Sequence, residues 1–257
     1  MLRRLIRAGH RRLTNAWPVK QCLARLAAPI ASVTFDDFPH SAWTVGAPIL
    51  HKYGVRGTYF VTAAFSPESL RQGPPAGRTE GVRYYDLEDI VAAYAQGHEI
   101  GCHSFDHRNA PLQTNAELER SVRCNAGFVK DLLGDVIMTS FAFPQGEVNI
   151  RTKRFMSRRF AACRGTWPGI NAGLVDLSLL RCVNLEPVTL QKHPVSQLID
   201  EVKASNGWLI FNAHDVSAAP SRWGCTPELL ESVVADLVNN GIEILTMKNA
   251  LGRTVFR

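Results

Sequence analysis

Two neighbouring carboxylates, Asp36 and Asp37, follow the apolar run IASVTF at residues 30–35 and precede Phe38, Pro39 and His40. One acid at a strand end is ordinary, but two adjacent acids at the end of a buried segment ask for a positive partner. Far along the chain, HSFDH at residues 103–107 places two histidines four apart, a spacing that one helical turn would bring to the same side. Neutral imidazoles joined by a carboxylate are a common three-ligand set for a catalytic divalent ion that keeps one position open to water. Successive strand side chains diverge, so the two acids need not share a task. This pattern predicts Asp37, His103 and His107 as metal ligands and Asp36 as the group beside the water. A bound ion brings that water's pKa down to about 7, and a nearby carboxylate can take its proton. The competing role for Asp36 is as N-cap of the following helix.

Runs rich in β-branched and aromatic residues alternate with longer helical patterns along the chain. Strands are predicted at 30–35, 57–62, 98–102, 136–143, 160–163, 179–183, 207–213 and 242–247, with helices between them and glycines such as Gly54 and Gly134 closing two of those helices. SPESLRQGPPAGRTEG reads as a loop inserted over one face. Such alternation in 257 residues predicts a single-domain, distorted (β/α)7-8 barrel over residues 29–257. A doubly wound open sheet is the alternative. The Gly-rich phosphate turn such a sheet usually carries after its first strand is here replaced by DDFP. Barrel active sites gather at the C-terminal strand ends. Those ends hold Asp36-Asp37, His103 with His107, Pro144-Gln145-Gly146, and His214-Asp215, so four separate segments aim at one mouth.

Hydrophobic content of 46% and charged content of 20% suit a globular protein, and no apolar stretch approaches the ~18 residues of a membrane span. The net charge of +6 is unevenly placed. Residues 1–25 carry seven Lys and Arg and no acid, so the remaining 22 of the 29 bases face 23 acids. A near-neutral body shows no nucleic-acid footprint. Leu2, Ile6, Leu13 and Trp17 fall at helical spacing ahead of Pro18, which makes residues 1–28 a basic amphipathic leader. It is expected either to contact an anionic membrane or a partner, or to pack across one end of the barrel. It lacks the apolar middle and cleavage site of a secretory signal, so it is expected to be retained. None of the six cysteines forms a CxxC pair or other metal spacing, which favours a reducing, cytoplasmic setting, peripheral to the inner membrane face if the leader docks there.

TFDD, the HSxxH motif, a Pro-x-Gly turn after the fourth strand and a late strand ending in His resemble the polysaccharide deacetylases, carbohydrate esterase family 4 (the NodB homology domain), from about residue 30 to 250. The resemblance implies a distorted (β/α) barrel holding a divalent metal, often zinc, that hydrolyses N-acetyl or O-acetyl groups on sugars. By position it implies Asp36 as catalytic base, Asp37, His103 and His107 as metal ligands, and His214 as the acid that protonates the leaving amine. Pro144 and Gln145 fall at the turn whose backbone N–H faces the oxyanion, a contact worth roughly 2.7–4 kcal/mol.

The chain also departs from the family pattern. Many members carry a base-orienting Arg where this chain has Ala142, and Arg164 and Arg181, at other strand ends, are the candidates to replace it. The family's fourth motif is only partly visible in RGTWPGIN; Trp167 either lines the sugar pocket or packs in the core, and Asp176 is the candidate partner of His214. Asn212 stands where the family usually has Leu, which predicts a more polar acyl pocket. His98 is read as structural, and His40 is left outside the site. The implied activity is a zinc-dependent deacetylase of an N-acylated carbohydrate. The alternatives are a deformylase or deacylase of a lipid-linked amino sugar or other non-peptide amide, and a barrel that binds glycan without turnover.

Overall fold

A computed structural model describes residues 14–71 and 78–256. Most of the leader helix expected from Leu2 to Trp17 therefore lies outside the described residues. The strands are β1 (Gln21–Arg25), β2 (Ile30–Asp36), β3 (Thr58–Val61), β4 (Glu99–Cys102), β5 (Ser140–Ala142), β6 (Ala162–Arg164), β7 (Gly173–Asp176), β8 (Val183–Asn184), β9 (Trp208–Ala213), β10 (Glu243–Ile244) and β11 (Val255–Phe256). The helices are α1 (Ala47–Lys52), α2 (Pro67–Arg71), α3 (Leu87–Ala95), α4 (Asn115–Leu133), α5 (Ile150–Met156), α6 (Pro187–Leu190), α7 (Val195–Ser205), α8 (Pro227–Asn239) and α9 (Met247–Arg253). None of the described helices is long and apolar enough to cross a membrane.

Seven strands run parallel in the order β6-β5-β4-β3-β2-β9-β8, with β10 paired to the start of β2. Parallel neighbours need long crossovers, and the predicted helices supply them. The sheet curls until its edges nearly meet: Leu180, just before β8, donates its N–H to the Cys163 carbonyl at 2.8 Å and accepts from Gly165 at 3.1 Å. This is the distorted (β/α) barrel expected from the sequence.

Strand alternation sorts the side chains into two cores. Along β2, Ala31, Val33 and Phe35 pack outward with the helices, while Ile30 joins the second cluster, which includes Phe60, Ala142, Ala162, Trp208 and Ile210. Ser32 accepts a hydrogen bond from the Trp208 indole at 3.0 Å and Thr34 sits opposite Asn212. The inward column of β2 thus becomes polar towards its C-terminal end and finishes at Asp36. Helix caps fix where the crossovers begin. Thr114 caps α4 through the Glu117 N–H at 3.2 Å, and Glu117 returns the contact to the Thr114 N–H at 2.8 Å.

Residues 21–25, assigned to the leader, instead form the middle strand of a small antiparallel sheet, β11-β1-β7. Both β1 and β7 are half exposed and short, so neither carries a clear period-2 hydrophobic pattern. A buried ion pair pins this sheet to the barrel. Lys153 of α5 lies 2.7 Å from Asp176 and donates to the carbonyls of Thr14 and Trp17, while Asp176 also accepts from the backbone N–H of Lys20 at 3.0 Å.

Candidate active site

Asp37, His103 and His107 come together at the mouth, all three buried, with their ligand atoms within 4.8 Å of one another. Asp37 Oδ1 lies 3.5 Å from His103 Nε2 and 3.3 Å from His107 Nε2, and it accepts no hydrogen bond among the described residues. His103 Nδ1 sits 2.8 Å from the Ala142 carbonyl. A carbonyl only accepts, so the ring proton is assigned to Nδ1 and Nε2 turns a lone pair towards Asp37. Burial lowers the His103 pKa to about 3, against the pull of Asp36, so the ring is neutral. Asp37 is pushed up to about 7, first by burial, with His214 opposing and Asp36 adding to the rise. A buried carboxylate oxygen that accepts no hydrogen bond among the described residues, set 3.3–3.5 Å from two imidazole Nε2 atoms, is a donor set that a divalent cation satisfies.

The route to this convergence differs from the helical turn expected for HSFDH. Residues 103–107 form a loop, not a helix. Ser104 and His107 take left-handed φ values of 65° and 50°, the Ser104 hydroxyl accepts from the His107 N–H at 3.2 Å, and Ser121 of α4 accepts from the Phe105 N–H at 3.0 Å. Asp37 itself has φ 64°, which swings its side chain away from the inward column that Asp36 completes. Of the six non-glycine residues with positive φ among the described residues, five lie at this mouth: Asp37, Phe38, Ser104, His107 and Gln145. Such backbone costs of order 1–3 kcal/mol per residue and gathers at functional sites.

Asp36 is buried beside Arg164 of β6, whose Nη2 donates to its Oδ1. Burial alone would raise its pKa; the Arg164 guanidinium, helped by His103 and His214, instead holds it at about 2. It is therefore ionised and acts as no helix cap; its other oxygen accepts from Asn212 Nδ2 at 3.2 Å. Of the two arginines considered as partners of Asp36, Arg164 is the one in contact with it. Arg181 donates instead to the Pro168 carbonyl at 3.3 Å. Ala142 and Arg164 are direct partners on adjacent strands, so the guanidinium has moved by one strand at the same height. Phe60 lies beneath it, with the guanidinium carbon 4.7 Å from the ring centre.

His214 approaches the same centre, with Nε2 3.9 Å from Asp37 Oδ2. Asp176 does not serve it, being committed to Lys153, and His214 Nδ1 has no hydrogen-bond partner among the described residues. Pro144–Gly146 forms a single tight turn, with Gln145 at φ 59° and exposed. Gly146, at φ 62°, packs so closely on Thr166 that a Cβ would fall 2.2 Å from its Oγ1. That contact packs Thr166, the neighbour of the half-buried Trp167, against the turn. Asn212 is fully buried and faces Asp36 and Arg164, so it does not make an acyl pocket more polar as expected. His98 lies at the opposite end, paired to His51, and His40 pairs with Asp89 at 2.7 Å, outside the metal-ligand group. No sequence spacing singles out Trp223, whose ring centre is 6.5 Å from that of His214 with Arg222 stacked 4.2 Å from its ring centre. The only signal was its place in the loop that follows the His214 strand.

Known proteins share this sequence pattern and this fold. The family model for polysaccharide deacetylase matches residues 25–159, just over half of the chain. Peptidoglycan-N-acetylglucosamine deacetylase PgdA of Listeria monocytogenes is 28% identical over 153 residues, which span 58% of this chain and 29% of that protein. The chain thus matches less than a third of the length of this relative. Among solved structures, a family 4 acetyl xylan esterase from Clostridium thermocellum, in complex with a cobalt ion, superposes with a TM-score of 0.59 at 19% identity, covering 87% of this chain and 90% of that one. The Xyl-CE4 domain of a xylanase from the hindgut metagenome of Trinervitermes trinervoides gives 0.58 at 17% identity, covering 88% and 91%. A CE4 family pseudoenzyme from Bacillus anthracis gives 0.58 at 15% identity, covering 91% and 69%. With its own barrel, TFDD strand end and converging histidines, the chain belongs to the polysaccharide deacetylase family.

Proposed function

We propose that the protein is a metal-dependent hydrolase that removes an acyl group, N-acetyl in the first instance, from a carbohydrate. The observation that carries this reading is the buried meeting of Asp37 Oδ1 with the Nε2 atoms of His103 and His107, beside an ionised Asp36 and within reach of His214. Asp37, His103 and His107 would hold the ion, zinc being the first choice for one carboxylate and two imidazoles. When bound, the ion supplies a Lewis acid and lowers the pKa of water to about 7. Asp36, fixed by Arg164, accepts the proton of the attacking water. His214 gives a proton to the leaving amine. The Gln145 N–H is assigned to the oxygen on which charge develops. Pro144 sets that turn, and Trp167 is assigned to the sugar ring. A deacetylase of peptidoglycan among the relatives supports an N-acetylated glycan as the substrate class.

One observation favours a second reading, a barrel that binds glycan without turnover: among the described residues His214 Nδ1 has no hydrogen-bond partner to orient an acid. Acetate release from N-acetylglucosamine oligomers by the zinc-loaded protein, measured beside Asp36→Asn, separates the two. Release that falls by at least 100-fold in Asp36→Asn, with zinc content unchanged, is the expected result. Zinc binding with no release from any acylated sugar supports the binding barrel, and formate release from an N-formyl substrate moves the assignment to a deformylase. We also propose contact of the basic leader with an anionic membrane. Loss of binding to phosphatidylserine vesicles on removal of residues 1–13, which spares β1, is the expected outcome.

A further inference from the structure

We propose that Asn212 is a positioning residue for Asp36, its side-chain amide holding the carboxylate and the Arg164 guanidinium together in a closed ring of hydrogen bonds. The inference rests on the hydrolase reading above and adds to it the device that makes a guanidinium from β6 serve the base.

Arg164 grips Asp36 with one nitrogen only. Nη2 donates to Asp36 Oδ1, Nη1 reaches the Gly165 carbonyl at 3.4 Å, and Nε is buried with no hydrogen-bond partner among the described residues. A guanidinium normally fixes a carboxylate by two parallel N–H contacts, and a single contact leaves the carboxylate free to turn about it. Asn212 supplies the missing point. Its Oδ1 accepts from the same Arg164 Nη2 at 2.9 Å, and its Nδ2 donates to the other carboxylate oxygen, Asp36 Oδ2, at 3.2 Å. The ring therefore runs from Asp36 Oδ1 through Arg164 and the amide back to Asp36 Oδ2.

The amide cannot be flipped without breaking this arrangement. Guanidinium only donates and carboxylate only accepts, so the two neighbours fix which end of Asn212 is oxygen. The remaining capacity of the amide is also used. Thr34 Oγ1 lies 3.1 Å from Asn212 Oδ1, and Asn212 Nδ2 lies 3.4 Å from Asn184 Oδ1 on β8. A fully buried amide with four partners is costly to assemble and stiff once assembled. Position explains why this residue can do it. Asn212 pairs in register with Thr34 on β2, two residues before Asp36, and its side chain belongs to the inward face of β9. An inert polar core residue would have no reason to address both members of the ion pair.

The test uses the full chain loaded with Zn2+ and N-acetylglucosamine oligomers as substrate. Asn212→Leu removes every polar contact at similar volume. Asn212→Asp keeps the acceptor for Arg164 and replaces the donor facing Asp36 with a like charge, and it serves if the Leu variant fails to fold. Either substitution is expected to lower kcat 10- to 100-fold, with KM within twofold and the Zn2+ dissociation constant within threefold of wild type. In an Asp36→Asn background, Asn212→Leu is expected to cost no further rate, and the melting-temperature losses of the two changes are expected to be non-additive. Equal fractional losses with and without the Asp36 carboxyl, or additive melting shifts, overturn the proposal. A wild-type protein that releases no acetate overturns the hydrolase reading instead. The melting cycle then decides by itself whether Asn212 acts through Asp36.

Discussion

Arg164 and Asp37 pose opposite problems for single side chains. Arg164 is fully buried and its charge is matched by Asp36, so truncation strands a carboxylate in the interior. Arg164→Met is expected to lower unfolding stability by about 3–5 kcal/mol, read from urea denaturation at pH 7. Asp37 is as buried as Asp36 yet has no guanidinium of its own, and its Oδ1 accepts nothing among the described residues. An amide there should relieve the metal-free protein while removing the anionic ligand. Asp37→Asn is therefore expected to hold or raise the melting temperature without metal and to abolish the rise that zinc gives to the wild type. A melting temperature that falls by several degrees in the metal-free state would contradict the donor-set assignment, because it would mean that the carboxylate is satisfied by the protein alone.

Elements decide which of these residues can meet. Ala142 on β5 and Arg164 on β6 are direct register partners, both facing inward, and adjacent strands lie about 4.8 Å apart. A long side chain from either strand can thus reach Asp36. Arg164→Ala is expected to lose most of its acetate release, and adding Ala142→Arg in that background should recover part of it, measured as kcat at saturating substrate. The support beneath is equally tied to a strand position. A Cβ at Gly101 would lie 2.6 Å from two ring atoms of Phe60, the ring under the guanidinium, so Gly101→Ala is expected to cost roughly 1–3 kcal/mol in urea unfolding. Long strands such as β2 and β9 were legible because burial on both faces leaves runs with few charged residues and many β-branched or aromatic ones. β1 and β7 were not, since half-exposed short strands have no such run. The histidine pair was legible as a pair, but the spacing suggested a helix where a left-handed loop stands. Sequence spacing records which groups are near one another and says little about rare backbone. The partner of Asp36 could be narrowed to two arginines and no further, because choosing between them needed the register of β5 against β6.

At the scale of the whole molecule, two buried titratable clusters lie at opposite ends of the barrel, and their pH dependence separates them. The mouth holds Asp36 at about 2, so its contribution is complete above the ordinary carboxylate pKa near 4 and is lost only as pH falls through 2. The opposite pole holds His98, whose Nε2 lies 2.7 Å from His51 Nε2 while Nδ1 accepts from the Gly57 N–H at 3.0 Å. That acceptor role places the His98 proton on Nε2, so His51 accepts through its own Nε2 and both rings are neutral. Trp43 and Tyr59 pack edge-on against His98. Burial first, then His51 and Arg56, lower the His98 pKa to about 3 against roughly 6.5 in an unfolded chain. The unfolded state therefore binds the extra proton. Stability from this pair is whole above pH 6.5, declines as pH falls, and is gone at 3. By pH 5 the loss amounts to about 2 kcal/mol at 1.36 kcal/mol per pH unit. Asp37, with its raised pKa, titrates in the same window with the opposite sign, so the comparison must be made at saturating zinc and against a variant. His98→Gln removes the titration but keeps a polar side chain. The gap in urea midpoint between wild type and His98→Gln is expected to shrink steadily from pH 7 to pH 5, and a gap that stays constant would place the acid sensitivity at the mouth instead.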